Sequence, residues 1–307
     1  MKRSLKDYIV ISLKGMAMGA ADVVPGVSGG TIAFISGIYE ELLNSISSFN
    51  FNLLKVYKKE GFKQVWNTVN GSFLLALFIG ISISVLSLAK LIETLLENHP
   101  IVIWSFFFGL VLASIIYIGK QITTWTIGSI LCLVLGGILA FYITTLNPMV
   151  SENSSPWFLF LVGMIAICAM ILPGISGSFI LVFLGAYKPV LNALNTRDFF
   201  SIIIFMLGAV VGLLTFSRIL KWLFSTYKNY TLATLTGFII GSLNKIWPWQ
   251  EIISWRTNSK GVEVPLSTTS VSPFSFEGDP QLMMAILLAT IGFGLILLLE
   301  KLAVKKD

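Results

Sequence analysis

Two stretches of this chain, PGVSGG at 25–30 and PGISGS at 173–178, each interrupt a run of apolar residues that would otherwise read as one continuous helix. Proline removes a backbone donor and blocks the helix before it, and glycine lets the chain turn sharply. A backbone broken inside hydrocarbon carries amides without helical partners, so it must be packed in protein or line a wet cavity. A chain that breaks twice in nearly the same residues needs a fold that surrounds both breaks.

That the surroundings are hydrocarbon follows from composition: 55% of the 307 residues are hydrophobic and 12% charged, about half the charged fraction of a soluble domain. Apolar runs such as Phe73–Leu88, Ile101–Ile118 and Ser201–Phe216 approach the ~20 residues that span a bilayer as helix. No series of alternating ten-residue strands suggests a barrel. The formal charge of +6 therefore reports loop topology rather than nucleic-acid binding. Cys132, Cys168 and the lone His99 have no ligand spacing, and no metal or cofactor is expected.

Displaced by 148 positions, the chain matches itself at Pro25/Pro173, Gly26/Gly174, Ser28/Ser176, Gly29/Gly177, Gly37/Gly185, Tyr39/Tyr187 and Asn44/Asn192. These are not residues that apolar composition duplicates by chance. A sparser match at a displacement of 128 pairs Gly80 with Gly208, Lys90 with Arg218, and Gly109 with Gly237. We therefore expect an all-α polytopic membrane protein of two inverted repeats, each a re-entrant helical hairpin plus three transmembrane helices. The first repeat, 1–150, holds a hairpin over 8–46 and helices over about 71–96, 101–118 and 125–146. The second, 151–307, holds a hairpin over 156–194, helices over about 199–224, 231–246 and 282–303, and an external segment over 247–280. In each hairpin the second arm is read as a continuous helix restarting at Thr31 or Phe179.

Odd parity within each half inverts the second against the first, the arrangement of many secondary transporters. With the N-terminus cytoplasmic, the basic stretches around Lys2–Lys6, Lys55–Lys63, Lys120, Lys228 and Lys301–Lys306 fall inside, while Lys188 and Arg197 do not.

A helix restarting after such a break presents free amides, and beside the hydroxyls of Ser28, Thr31, Ser176 and Ser178 it forms a seat for an anion. Close packing of small residues is the competing explanation for the glycines and serines. Pro25, Gly26, Pro173 and Gly174 are the hinge. Charges within apolar runs are costly unless paired or wet. Asp22, opposite Met170 in the repeat, is a candidate for ion or proton coupling, with Glu40 a weaker one; Lys90 and Arg218 are candidate partners for an anionic substrate, or snorkel near helix ends.

The segments GAADVVPGVSGGTIAFISGIYE (Gly19–Glu40) and ILPGISGSFILVFLGAY (Ile171–Tyr187), supported by FFGLVLASI and GFIIGSLNKIWPW, resemble a family of bacterial and archaeal membrane proteins, the polyprenyl-phosphate transporters. The resemblance covers nearly the whole chain. It implies a non-enzymatic flippase in the bacterial cytoplasmic membrane, both termini cytoplasmic, returning undecaprenyl phosphate from the outer to the inner leaflet for cell-wall precursor recycling. On that reading Ser28, Gly29, Gly30, Thr31, Ser176, Gly177 and Ser178 contact the phosphate, Lys90 and Arg218 neutralise it, and Asp22 couples protons or cations. A channel or transporter for a small soluble anion would use the same seats.

Overall fold

The computed structural model describes residues 3–24, 27–146, 155–257 and 263–304, and among these it is mostly helical. Helix α1 (Leu5–Val23) opens on a capping box in which Ser4 and Asp7 satisfy each other's backbone amides. After the first break come α2 (Gly29–Ile35) and α3 (Tyr39–Ser47), then α4 (Asn52–Thr68), α5 (Gly71–Asn98), α6 (Pro100–Lys120) and α7 (Ile127–Thr145). The same succession follows: α8 (Pro156–Ile171), the second break, α9 (Gly177–Phe183), α10 (Tyr187–Asn195), α11 (Phe199–Thr226) and α12 (Lys228–Ser242), which a 3-10 turn extends over Leu243–Ile246. Strands β1 (Gln250–Thr257) and β2 (Glu263–Ser270) precede the last helix, α13 (Leu282–Val304).

Among the described residues four helices, α5, α6, α7 and α11, are long and apolar enough to cross a membrane, five if the bent pair α9 and α10 counts as one span. Their outer faces carry exposed Phe78, Leu86, Leu135, Ile203 and Met206, the pattern of a lipid-facing surface rather than a watery one.

The chain is mostly helical, as expected of an all-α membrane protein; within 247–280, β1 and β2 form a small antiparallel hairpin, where Ile252, Ile253, Trp255 and a Thr-rich return strand favour the pleated conformation over helix. Two expectations need correction. The second arm of each hairpin is not one helix. Gly37 and Gly185 take positive φ values of 72° and 68°, which an L side chain adopts only with strain. They split the arms into α2 with α3 and α9 with α10, the second pair bending by 107°. The restarts also come at Gly29 and Gly177, two residues earlier than Thr31 and Phe179.

Helices pair through glycine. Gly15 and Gly19 of α1 lie against Leu77, Gly80 and Ile81 of α5, while Gly163 of α8 lies against Phe205 and Ala209 of α11. The contacts advance together along both chains, so each pair is parallel. Helices far apart in sequence also pair: α7 packs on α12 and α6 on α13. Lipid supplies little hydrophobic drive between helices, so close backbone approach must supply the contact. A Cβ at Gly208 would strike the Phe160 carbonyl. We expect Gly208→Val to destabilise the detergent-purified protein by about 1–3 kcal/mol, read as an earlier thermal unfolding midpoint; an unchanged midpoint would contradict this packing.

One end of the molecule gathers charges. Arg3 meets Glu41 in a bidentate pair of 2.6 and 2.7 Å, Asn70 donates to Glu41, Lys228 meets Glu40 at 2.9 Å, and Asn229 bonds Thr123 and Thr124. At the opposite end Ile101, Trp249 and Ala285 form an apolar cluster with Trp247, Phe276 and Leu282 beneath the β-hairpin.

Candidate functional site

The two breaks, far apart in sequence, meet in space. Helix α8 stops at Ile171 because Pro173 follows, leaving its last carbonyls without helical partners. The first hairpin supplies them: Ser28 Oγ lies 3.0 and 3.2 Å from the carbonyl oxygens of Met170 and Leu172, and Tyr39 donates its hydroxyl to Ile171 at 3.1 Å. In return, the Gly174 amide donates to Thr31 Oγ1 at 3.1 Å. Phe34, Tyr39 and Phe224 pack ring against ring beside the junction.

Each restarting helix is capped by the motif serine, Ser28 accepting from the Gly30 amide and Ser176 from the Phe179 amide. At the first break the Asp22 carboxylate also accepts from the Gly29 amide at 2.7 Å. A negative oxygen thus already sits where the positive end of α2 would attract one. Ser28 and Thr31 are each 1% exposed and every residue of α2 is buried. At the second break Ser176 and Ser178 face each other at 3.3 Å, Ser178 is exposed, and Ile180 is the one buried residue of α9.

The differences between the two motifs follow from this asymmetry. A Cβ at Gly30 would run into the Ile171 carbonyl, and one at Gly29 would meet the Asp22 carboxylate. Ser178, at the position equivalent to Gly30, has open space and carries a side chain. Gly174, at φ 90°, packs its backbone against Phe238, Ile239 and Ser242 of α12.

The fold therefore sets Ser28, Gly30 and Thr31 of the first break against 170–174 of the second; Asp22 and Gly29 are joined at the first break, and Ser176, Gly177 and Ser178 open the arm that follows Pro173 and Gly174. Pro25 and Gly26 lie outside the described residues. Lys90 is exposed on α5, Arg218 is exposed on α11 with its guanidinium donating to the Phe49 carbonyl at 2.6 Å, and Glu40 pairs with Lys228. None of these three is held at the junction by those contacts. Two residues that sequence reasoning passed over are held there or close by: Tyr39, whose identity with Tyr187 was a signal, and Lys245, whose Nζ lies 5.6 Å from the ring centre of Phe179.

The family model described as undecaprenyl phosphate translocase-like matches residues 18–264, a span that contains both breaks. The chain belongs to this translocase-like family. A polyprenyl-phosphate transporter of Vibrio cholerae is 52% identical over 303 residues, covering 97% of this chain and 98% of the relative. One from Staphylococcus aureus is 32% identical over 262 residues, covering 79% of this chain and 88% of its own length. No solved structure matches. In this member of the family the doubled motif is a pair of broken helices whose ends meet, with α2 wholly buried and Ser178 of the second break exposed.

Proposed function

We propose that this protein carries undecaprenyl phosphate, or a closely related polyprenyl phosphate, across the cytoplasmic membrane from the outer to the inner leaflet, returning the carrier lipid to cell-wall precursor synthesis. The observation that carries the reading is the junction itself. Hydroxyls of Ser28 and Thr31 meet the irregular backbone of the second break, and Ser176 and Ser178 follow on the arm that restarts there, a composition suited to shielding one anionic headgroup from hydrocarbon. The tail needs no such shield and stays in lipid. The names of the relatives support the lipid class.

The two halves act as inverted repeats in this reading. Supporting it, α1 runs parallel to α5 and α8 parallel to α11, whereas α5 starts near Glu41, at the same charged end where α11 leads into Lys228. The charged end is cytoplasmic, carrying both termini, and the β-hairpin is external. In this conformation the seat at Ser28, Gly29, Gly30 and Thr31 is filled by the protein's own groups, so the phosphate enters at Ser176, Gly177 and Ser178. Exchange of the open and sealed breaks would pass the headgroup inward. Asp22, released from Gly29, would couple protons or cations to that exchange, with Glu40 opening from Lys228 at the cytoplasmic end. Lys90 and Arg218 meet the headgroup at the rims rather than at the seat.

Proteoliposomes with undecaprenyl phosphate confined to one leaflet test the proposal. We expect the purified protein to equilibrate the lipid and a Ser176→Ala, Ser178→Ala double variant to slow this by about ten- to a hundredfold, two hydrogen bonds to a charged group being lost. Failure of the wild type to move the lipid, with free phosphate passing instead, would replace this reading with a soluble-anion transporter. Cysteines at Lys58 and Thr268 are expected to label from opposite faces; labelling from one face would remove the inverted topology.

A further inference from the structure

The sequence GSLNKIWPW carries a lysine that the transport reading has not used. Lys245 lies in the 3-10 turn that continues α12, and α12 is the helix on which the second break rests: Gly174 packs against Phe238, Ile239 and Ser242, one turn before Lys245. Its Nζ points onto the face of Phe179, the residue after Ser178. Lys245 is half-buried and has no ion pair among the described residues. The cations at the charged end are otherwise engaged: Arg3 holds Glu41, Lys228 holds Glu40, and Arg218 holds the Phe49 carbonyl.

A half-buried ammonium without a counter-ion is costly unless something offsets it. An aromatic face offsets part of the cost through its quadrupole. The rest is available to an incoming anion, and the exposed Ser178 with its partner Ser176 presents hydroxyls on the same arm of the hairpin.

We propose that Lys245 is the residue that neutralises the substrate phosphate at the second break, with Phe179 holding the ammonium in place until the headgroup arrives. The inference rests on the transport reading and deepens it by naming the charge that selects a phosphate ester over its alcohol. A phosphate bound by serines alone would need only hydrogen-bond donors, whereas a lysine adds attraction that polyprenols lack.

Binding of farnesyl phosphate and of farnesol to the detergent-purified full chain separates the possibilities. The wild type is expected to prefer the phosphate strongly. Lys245→Met should weaken phosphate binding by about ten- to a hundredfold and leave farnesol binding unchanged, with Lys245→Arg retaining most of the preference. If wild type prefers the phosphate and Lys245→Met keeps that preference, this inference is overturned while the transport reading stands. If wild type shows no preference for the phosphate, the transport reading itself fails. Lys245→Gln, which keeps length and polarity without charge, distinguishes neutralisation from packing. It should behave as Lys245→Met, and a preference like wild type's in this variant would also overturn the assignment.

Discussion

Gly30→Ser, which makes the first motif read like the second, is expected to abolish lipid transport while Ser178→Gly leaves the fold intact. The two positions are equivalent in the repeat but opposite in surroundings. A Cβ at Gly30 would collide with the Ile171 carbonyl and crowd that of Met170, and because the clash is with the Cβ itself no side-chain rotamer relieves it. Overpacking of this kind costs about 1–3 kcal/mol. Because it acts where Ser28, Thr31 and Tyr39 reach across to α8, the strain should separate the breaks before it unfolds the helices. Transport and thermal stability measured on the same preparations check this: a Gly30→Ser protein that transports normally would show that tip-to-tip contact is not needed.

The second large effect is expected at Asp22. Asp22→Asn keeps an oxygen that can accept from the Gly29 amide, so the protein should fold with nearly wild-type stability. The charge is gone, and with it the coupling proposed for this carboxylate. Net transport driven by an imposed proton or sodium gradient should fall at least tenfold, whereas passive equilibration persists. Asp22→Ala should lose the coupling and, in addition, about 1–3 kcal/mol of stability, because the Gly29 amide is left buried without a partner. Gradient-driven accumulation by Asp22→Asn equal to wild type would reduce Asp22 to a helix cap.

Much of the fold was legible because it rests on local rules. Apolar runs bounded by Asn70, Pro100, Thr126 and Asp198 became α5, α6, α7 and α11 within a few residues, since helix length and capping are written in neighbouring residues. The breaks were legible for the same reason. What they do to each other was not: Ser28 finds Met170 across a separation that no local pattern encodes. The kinks at Gly37 and Gly185 were present in the repeat but were overshadowed by the Pro-Gly pair beside them, and their effect depends on positive φ. Lys245 was masked by the apolar and aromatic residues around it. The strands β1 and β2 went unread because their apolar residues do not alternate, Ile252 standing beside Ile253.

The cross-pairing of α7 with α12 and α6 with α13 also bears on how the protein is made. Ribosomes deliver α6 and α7 to the bilayer well before either partner exists, so Gly109 and Gly136 must first face lipid or one another. Only when the second half is inserted do Ala289 and Thr234 arrive to cover them. Assembly therefore finishes late, with the newest helices threading into places the older ones have kept open. Two separately synthesised halves should complement each other in a cell that makes both, and each alone should be a target for membrane proteolysis.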